Sequence, residues 1–232
     1  MRDFDADKFE MSSTTEAGNT NIQDTGVKQL RLNGESSSKP KPFRGPFSEL
    51  WRWICYLFMK IAGWRFVGDW PADVPKAVLV AAPHTSNWDG IYMLASAGYY
   101  RTPLQWMGKK ELTEGPFGGF VKWLGCVPID RSGNNDMVSQ MADAFRASDE
   151  MILAVPPEGT RAKTRKWKSG FYYIAATADV PLILTVLDFG SKTVRVAGTF
   201  KPMGDFDQDL PKIKEVYNGA RGKFDEKYTK PG

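Results

Sequence analysis

The chain has 232 residues and a net charge of +4, from 31 basic and 27 acidic side chains. That length allows one large domain or two small ones, and an apolar content of 42% suits a globular core. The mild positive charge favours anionic partners, while two cysteines without CxxC or zinc-type spacing, Cys55 and Cys126, argue against a disulfide framework or a metal knuckle and make a reducing, cytosolic compartment the default.

Residues 1–45 read as a disordered leader. They are rich in Ser, Thr, Asn and charge, with too little apolar surface to offset the entropy of ordering. Seven basic residues balance seven acidic ones there, so the whole +4 falls on residues 46–232. The start, "MRDFDADKFE", is acidic and polar, the opposite of a secretory signal. "SELWRWICYLFMKIAGW", residues 48–64, is predicted as a helix with Ser48 as N-cap and Gly63 as stop. It is too short for the roughly 18 apolar residues of a membrane span. Trp51, Trp53, Tyr56 and Trp64 are of the types that favour a membrane–water interface. An interfacial helix and a core helix are both open readings, and one helix can be both, packed on one face and wet by lipid on the other.

Beyond residue 64 the chain alternates. "RFVGDW" and "AVLVAA" read as strands, "DGIYMLASAGYY" as a helix, "LQWMGKKEL" as a short strand and turn, and "CVPIDR" as a strand. "DMVSQMADAFRAS" has helical spacing, "EMILAVPPEG" is a buried strand entering a turn, and "SGFYYIAATAD" is helical. "VPLILTVLDFG" and "TVRVAGTF" are strands, and residues 209–228 read mostly as a polar helix. Alternating strands and helices predict an α/β fold: a mixed, largely parallel sheet flanked by helices.

Three segments carry chemistry. His84, the only histidine in the chain, follows the strand "AVLVAA" and Pro83, where open α/β sheets place binding and catalytic groups. Asp89 lies one helical turn further on. Ser86 and Asp89 form a Ser-x-x-acid helix start, so Asp89 has two candidate tasks: to cap the helix, or to fix the tautomer of His84 and leave its other ring nitrogen as a general base. No G-x-S-x-G elbow supplies a nucleophile, so a hydroxyl would have to come with a substrate. One histidine is poor material for a metal site. The second segment is "VPPEGTRAKTRKWKSG". Gly159 permits a tight turn, Arg161 offers a planar fork for phosphate, and Arg161, Lys163, Arg165, Lys166 and Lys168 place five cations within eight residues. These basic residues are either a solvated loop or an attractor for an anionic substrate or bilayer. The third is "GCVPIDRSG", where Arg131 is a candidate phosphate clamp or a surface ion-pair partner.

In this order the segments resemble the glycerolipid acyltransferase family, the 1-acylglycerol-3-phosphate acyltransferases and their relatives. The family pattern runs His-x4-Asp, Gly-x-x-x-Ile-x-Arg, Pro-Glu-Gly-Thr-Arg and a Val-Pro-hydrophobic strand. Here it reads His84 to Asp89, Gly125 to Arg131, Pro157 to Arg161 and Val180-Pro181-Leu182-Ile183, over about residues 65–190. The resemblance implies transfer of a fatty acyl group from acyl-CoA or acyl carrier protein to a lysophospholipid hydroxyl, with no cofactor and no metal. It implies His84 as general base and Asp89 as its orienting partner. Arg131, Glu158, Gly159, Thr160 and Arg161 would hold the acceptor's phosphate or equivalent head group. It also implies an acyltransferase domain over residues 46–232, an amphipathic membrane-interface helix at residues 48–64, and a peripheral place on the cytoplasmic face of a membrane. Departures from the pattern at Pro83, Pro128, Pro156, Ala162 and Leu184 alter the acceptor side. An acyl-thioester hydrolase and a non-catalytic lipid- or phosphate-binding protein are the alternatives. Nucleic acid is not an expected partner, because the aromatics fall in apolar runs instead of interleaving with the cations.

Overall fold

The computed structural model describes residues 27–28, 47–129 and 137–229. The elements in order are β1 (Val27–Lys28), α1 (Ser48–Ile61), β2 (Arg65–Val67), β3 (Lys76–Ala82), α2 (Asn87–Tyr99), β4 (Leu104–Lys109), α3 (Lys110–Glu114), α4 (Gly118–Trp123), β5 (Cys126–Ile129), α5 (Met137–Ala147), β6 (Met151–Val155), α6 (Gly170–Thr177), β7 (Leu182–Asp188), β8 (Thr193–Phe200) and α7 (Phe206–Glu215). Among the described residues the strands form one sheet in the order β1-β8-β7-β3-β6-β4-β5, with β2 also on β8. The central five strands, β7-β3-β6-β4-β5, are mutually parallel, and β8 runs antiparallel to β7. This is the mixed, largely parallel α/β sheet expected from the alternation of strands and helices.

Buried parallel strands need apolar side chains on both faces, and β3 shows how the two faces divide. Val78, Val80 and Ala82 point into one core with Met141 and Phe145 of α5, Phe171 and Ile174 of α6, and Ile213 of α7. Ala77 and Leu79 point the other way, against Met93 and Ala97 of α2. A third cluster joins α1 to α2 and the sheet through Cys55, Met59, Trp64, Ala95, Leu187 and Val194.

Local details differ from the sequence reading in three places. Ser48 is the first helical residue of α1. The N-cap is Phe47, which has no side-chain oxygen, so the start of α1 carries no side-chain cap. Gly63 does stop the helix, in a left-handed conformation at φ 76° that favours glycine. The stretch after β4 is two short helices, α3 and α4, where a turn was expected. The tail is helical only over Phe206–Glu215, followed by turns and a single 3₁₀ turn at Asp225–Lys227. Within the leader, Val27 and Lys28 pair with Phe200 and Thr199 at the edge of β8, and the other residues of 1–45 lie outside the described residues.

Candidate active site

The site lies at the carboxyl edge of the parallel strands. Val80 of β3 is paired with Val155 of β6, and Ala82 with Val186 of β7, so the three neighbouring strands end at one edge of the sheet. The segment after β3 therefore meets the segment after β6, which brings His84 beside Glu158 from 74 residues away. The backbone N–H of His84 donates to Glu158 Oε1 at 3.1 Å.

Asp89 caps the helix, the first of the two tasks that the sequence left open, and its carboxylate also lies beside His84. As the third residue of α2 it completes a capping box with Ser86: Oδ2 accepts from the Ser86 N–H at 2.8 Å, and Ser86 Oγ accepts from the Trp88 N–H at 3.2 Å. The same carboxylate accepts from the Thr85 N–H at 2.6 Å and from Ser86 Oγ at 2.8 Å. Its Oδ2 also lies 3.3 Å from His84 Nδ1. A carboxylate surrounded by donors faces the ring nitrogen that bears hydrogen. A hydrogen on Nδ1 would complete this contact and would leave Nε2 as the ring nitrogen without a partner among the described residues. The Asp89 side chain is 4% exposed and that of His84 25%, so the carboxylate is sealed and the imidazole ring is partly open to solvent. Asp89→Ala would strip partners from two backbone N–H groups and a hydroxyl in a buried loop. We expect a loss of stability of about 2–3 kcal/mol, measured by urea unfolding.

Glu158 occupies a different place from that expected of a head-group ligand. It is 3% exposed, and its Oε1 is held by the His84 backbone N–H. Burial pushes its carboxyl up to about 7, against the opposing pull of its own backbone N–H and that of His84. Oε2 has no hydrogen-bond partner. Gly159 turns the chain at φ 61°, with its N–H donating to Pro156 O at 3.1 Å. A Cβ at Gly159 would meet the Lys168 side chain at 2.8 Å. Thr160 Oγ1 accepts from the Ala162 N–H at 3.2 Å and so closes its own turn. Arg161 is exposed and unpaired among the described residues, as are the neighbouring cations Lys163, Arg165, Lys166 and Lys168. The loop is pinned at its base by the Lys168 N–H to Pro157 O bond at 2.8 Å and by the buried Trp167, which meets the Tyr217 ring edge-on at 5.2 Å. Arg131 lies outside the described residues. β5, the strand leading towards it, is parallel to β4 and β6 and ends at the same edge.

Sequence reasoning missed the residues that close the site. Tyr217, fully buried, donates its hydroxyl to Val80 O at 2.8 Å. The Phe224 N–H donates to Thr85 Oγ1 at 3.3 Å, and Lys223 Nζ stands 4.6 Å from the centre of the Trp88 ring. Their signal, isolated aromatics in a polar tail, is too weak to separate from a helix face. Among the described residues no group of three His, Cys, Asp or Glu could hold a metal ion, and both cysteines are buried thiols outside any disulfide.

A family model described as Acyltransferase matches residues 69–187, which include His84, Asp89 and the whole loop after β6. The chain is 34% identical over 167 residues to a probable 1-acyl-sn-glycerol-3-phosphate acyltransferase of Mycoplasma pneumoniae, covering 67% of this chain and 61% of the relative. It is 31% identical over 121 residues to the 1-acyl-sn-glycerol-3-phosphate acyltransferase of Salmonella typhimurium, covering 49% of this chain and 48% of that one. The chain thus spans about half to three-fifths of the length of these curated relatives. The crystal structure of the 1-acyl-sn-glycerophosphate acyltransferase of Thermotoga maritima shares the fold, with a TM-score of 0.54 over 75% of this chain and 77% of that one at 17% identity. With the family model matching half of the chain and the His84–Asp89 pair inside the match, the chain belongs to the acyltransferase family.

Proposed function

We propose that the protein is an O-acyltransferase that moves a fatty acyl group from a thioester, acyl-CoA or acyl carrier protein, to the hydroxyl of a lysophospholipid acceptor of the lysophosphatidate type. The observation that carries this reading is the 3.3 Å approach of Asp89 Oδ2 to His84 Nδ1 at the carboxyl edge of the sheet. With Nδ1 oriented by Asp89, Nε2 takes the proton of the acceptor hydroxyl as its oxygen attacks the thioester carbonyl carbon. The tetrahedral oxyanion then collapses, the C–S bond breaks, and the thiolate leaves with the proton held on Nε2. The curated relatives named above are 1-acyl-sn-glycerol-3-phosphate acyltransferases, which supports this acceptor class. Arg161, with Gly159 and Thr160 shaping its loop and Arg131 from the segment after β5, supplies the cationic groups for the acceptor's phosphate.

The test is thiol release from long-chain acyl-CoA with a panel of lysophospholipids, read together with mass spectrometry of the lipid product. Acyl transfer predicts thiol release that depends on an acceptor, with a new diacyl lipid formed. Thiol release at the same rate without acceptor would replace this reading with a thioesterase, which the partly exposed His84 ring could support by activating water.

The acceptor is a membrane lipid, and α1 has a surface that suits a membrane. Leu50, Trp53, Ile54, Leu57, Phe58 and Ile61 are all exposed, and their spacing places them on one outward stripe of the helix. The opposite face buries Cys55 and Met59 against the domain. No helix among the described residues is long and apolar enough to cross a membrane. We therefore propose that α1 lies in the interface of an anionic membrane with this stripe in the lipid. The double substitution Trp53→Glu with Leu57→Glu should weaken sedimentation with anionic vesicles by at least about tenfold. Both side chains are more than half exposed, so the unfolding temperature should be unchanged.

A further inference from the structure

Among the described residues, two buried polar atoms near the candidate site have no hydrogen-bond partner: Oε2 of Glu158 and the hydroxyl of Tyr228. Both side chains are buried, and the Tyr228 hydroxyl is raised first by burial and then by the charges of Glu158 and Asp225. The two groups share one electrostatic environment although they lie 70 residues apart in sequence. A buried donor and a buried acceptor that both lack a partner are groups that native interiors seldom leave without use.

Tyr228 arrives there on residues 221–229, which lie as a strap over the carboxyl edge of the sheet. The strap is fastened to each of the three central strand ends. At β7, the Phe189 N–H donates to Arg221 O at 2.9 Å and the Arg221 N–H to Asp188 Oδ1 at 3.0 Å. At the segment after β3, the Phe224 N–H bonds Thr85, and Lys223 stands over Trp88. Gly222 packs so closely there that a Cβ would fall 2.6 Å from Thr85 Cγ2. At the loop after β6, Thr229 Oγ1 donates to Thr164 O. The strap therefore touches both the loop that carries His84 and the loop that carries Glu158.

We propose that Tyr228 is a positioning residue that acts through Glu158: its hydroxyl donates through one bridging water to Glu158 Oε2 and holds the carboxylate whose other oxygen grips the His84 backbone. The proposal rests on the acyl-transfer reading only for its catalytic consequence. The hydroxyl stabilises the ionised carboxylate, and the ionised carboxylate is the stronger acceptor for the His84 N–H. The other titratable groups that act on Glu158 or are acted on by it are His84 on the β3–α2 loop, Asp89 in the first turn of α2, and Tyr217 after α7. All of them remain in a Tyr228→Phe variant.

Because His84 is the only histidine, labelling the protein with ¹⁵N-histidine gives one backbone amide, and that amide is bonded to Glu158. Its shift should follow the Glu158 carboxyl with an inflection near pH 7 in the wild type, while the ring nitrogens report the imidazole separately. A Glu158→Gln variant, which lacks the carboxyl, identifies the inflection by its loss. In Tyr228→Phe the inflection should move to higher pH by about half a pH unit or more. The acid limb of the acyl-transfer rate should move with it, and kcat should fall with KM for the thioester unchanged. If the ring only packs, removing an unpaired hydroxyl leaves the amide inflection where it was, and that result overturns the proposal. Thermal unfolding of the same sample shows that the variant is folded. Absence of acyl transfer by the wild-type protein would overturn the catalytic reading alone, and an unmoved inflection would overturn the Tyr228–Glu158 link alone.

Discussion

His84→Ala should reduce acyl transfer by about three orders of magnitude and leave the fold intact. A positioned general base contributes about 10²- to 10⁴-fold, and no second histidine exists to replace it. On the proposed mechanism the loss should fall on kcat, because the ring would take the hydroxyl proton in the chemical step. Stability should change by less than about 1 kcal/mol, for reasons visible in the loop. The backbone N–H of residue 84 survives the substitution and keeps Glu158 Oε1 satisfied. Asp89 loses only the imidazole and retains the Thr85 and Ser86 N–H groups and the Ser86 hydroxyl. Wild-type rates in purified His84→Ala protein would remove His84 from the mechanism, whatever the product. The contrast with Asp89→Ala is diagnostic, since that variant should lose both activity and stability.

The sheet and the His84 segment were legible because their signals are local. Continuous apolar runs such as "AVLVAA" and "VPLILTVLDFG" mark strands buried on both faces, and both became central parallel strands. Ser86 and Asp89 lie three residues apart, so one turn of helix geometry fixes the capping box. Glu158 was harder. Spacing shows that it follows a buried strand, but its direction depends on β6 pairing beside β3, a contact between segments some 75 residues apart. A glutamate in a basic loop reads as a surface group, and here it is buried and held by the His84 backbone N–H. The tail was illegible for a related reason. Residues 216–229 owe their shape to Thr85, Trp88, Asp188 and Thr164 on other segments, so their own polar sequence carries only a generic helix signal. The cap of α1 shows the reverse error, where a good local signal at Ser48 is overridden by an uncapped start at Phe47.

Glu158→Gln should make the protein more stable at pH 8 and less active. The Glu158 carboxyl is raised from 4.5 to about 7 in the folded state, chiefly by burial. Between these values the folded protein holds a proton that the unfolded chain releases, so unfolding becomes easier as pH rises through that window. The penalty is absent below about pH 4.5 and complete above about pH 7. It amounts to as much as about 3 kcal/mol, since each pH unit corresponds to about 1.4 kcal/mol. Glutamine has the same shape, keeps a carbonyl oxygen for the His84 N–H, and carries no charge to desolvate. Part of the gain is offset because a neutral acceptor binds that N–H less strongly than a carboxylate. The expected difference in unfolding free energy is therefore about 1–3 kcal/mol in favour of the variant at pH 8, shrinking towards zero at pH 4.5. Urea unfolding of both proteins at the two pH values measures it, and a variant less stable than wild type at pH 8 would contradict a carboxylate held at a cost. The activity should fall about tenfold as the grip on the His84 loop loosens, a ground-state strain retained because the site needs it. On the proposed mechanism, a buried carboxylate that lowers stability while it holds the His84 backbone would account for a glutamate at this position, where an amide should fold better.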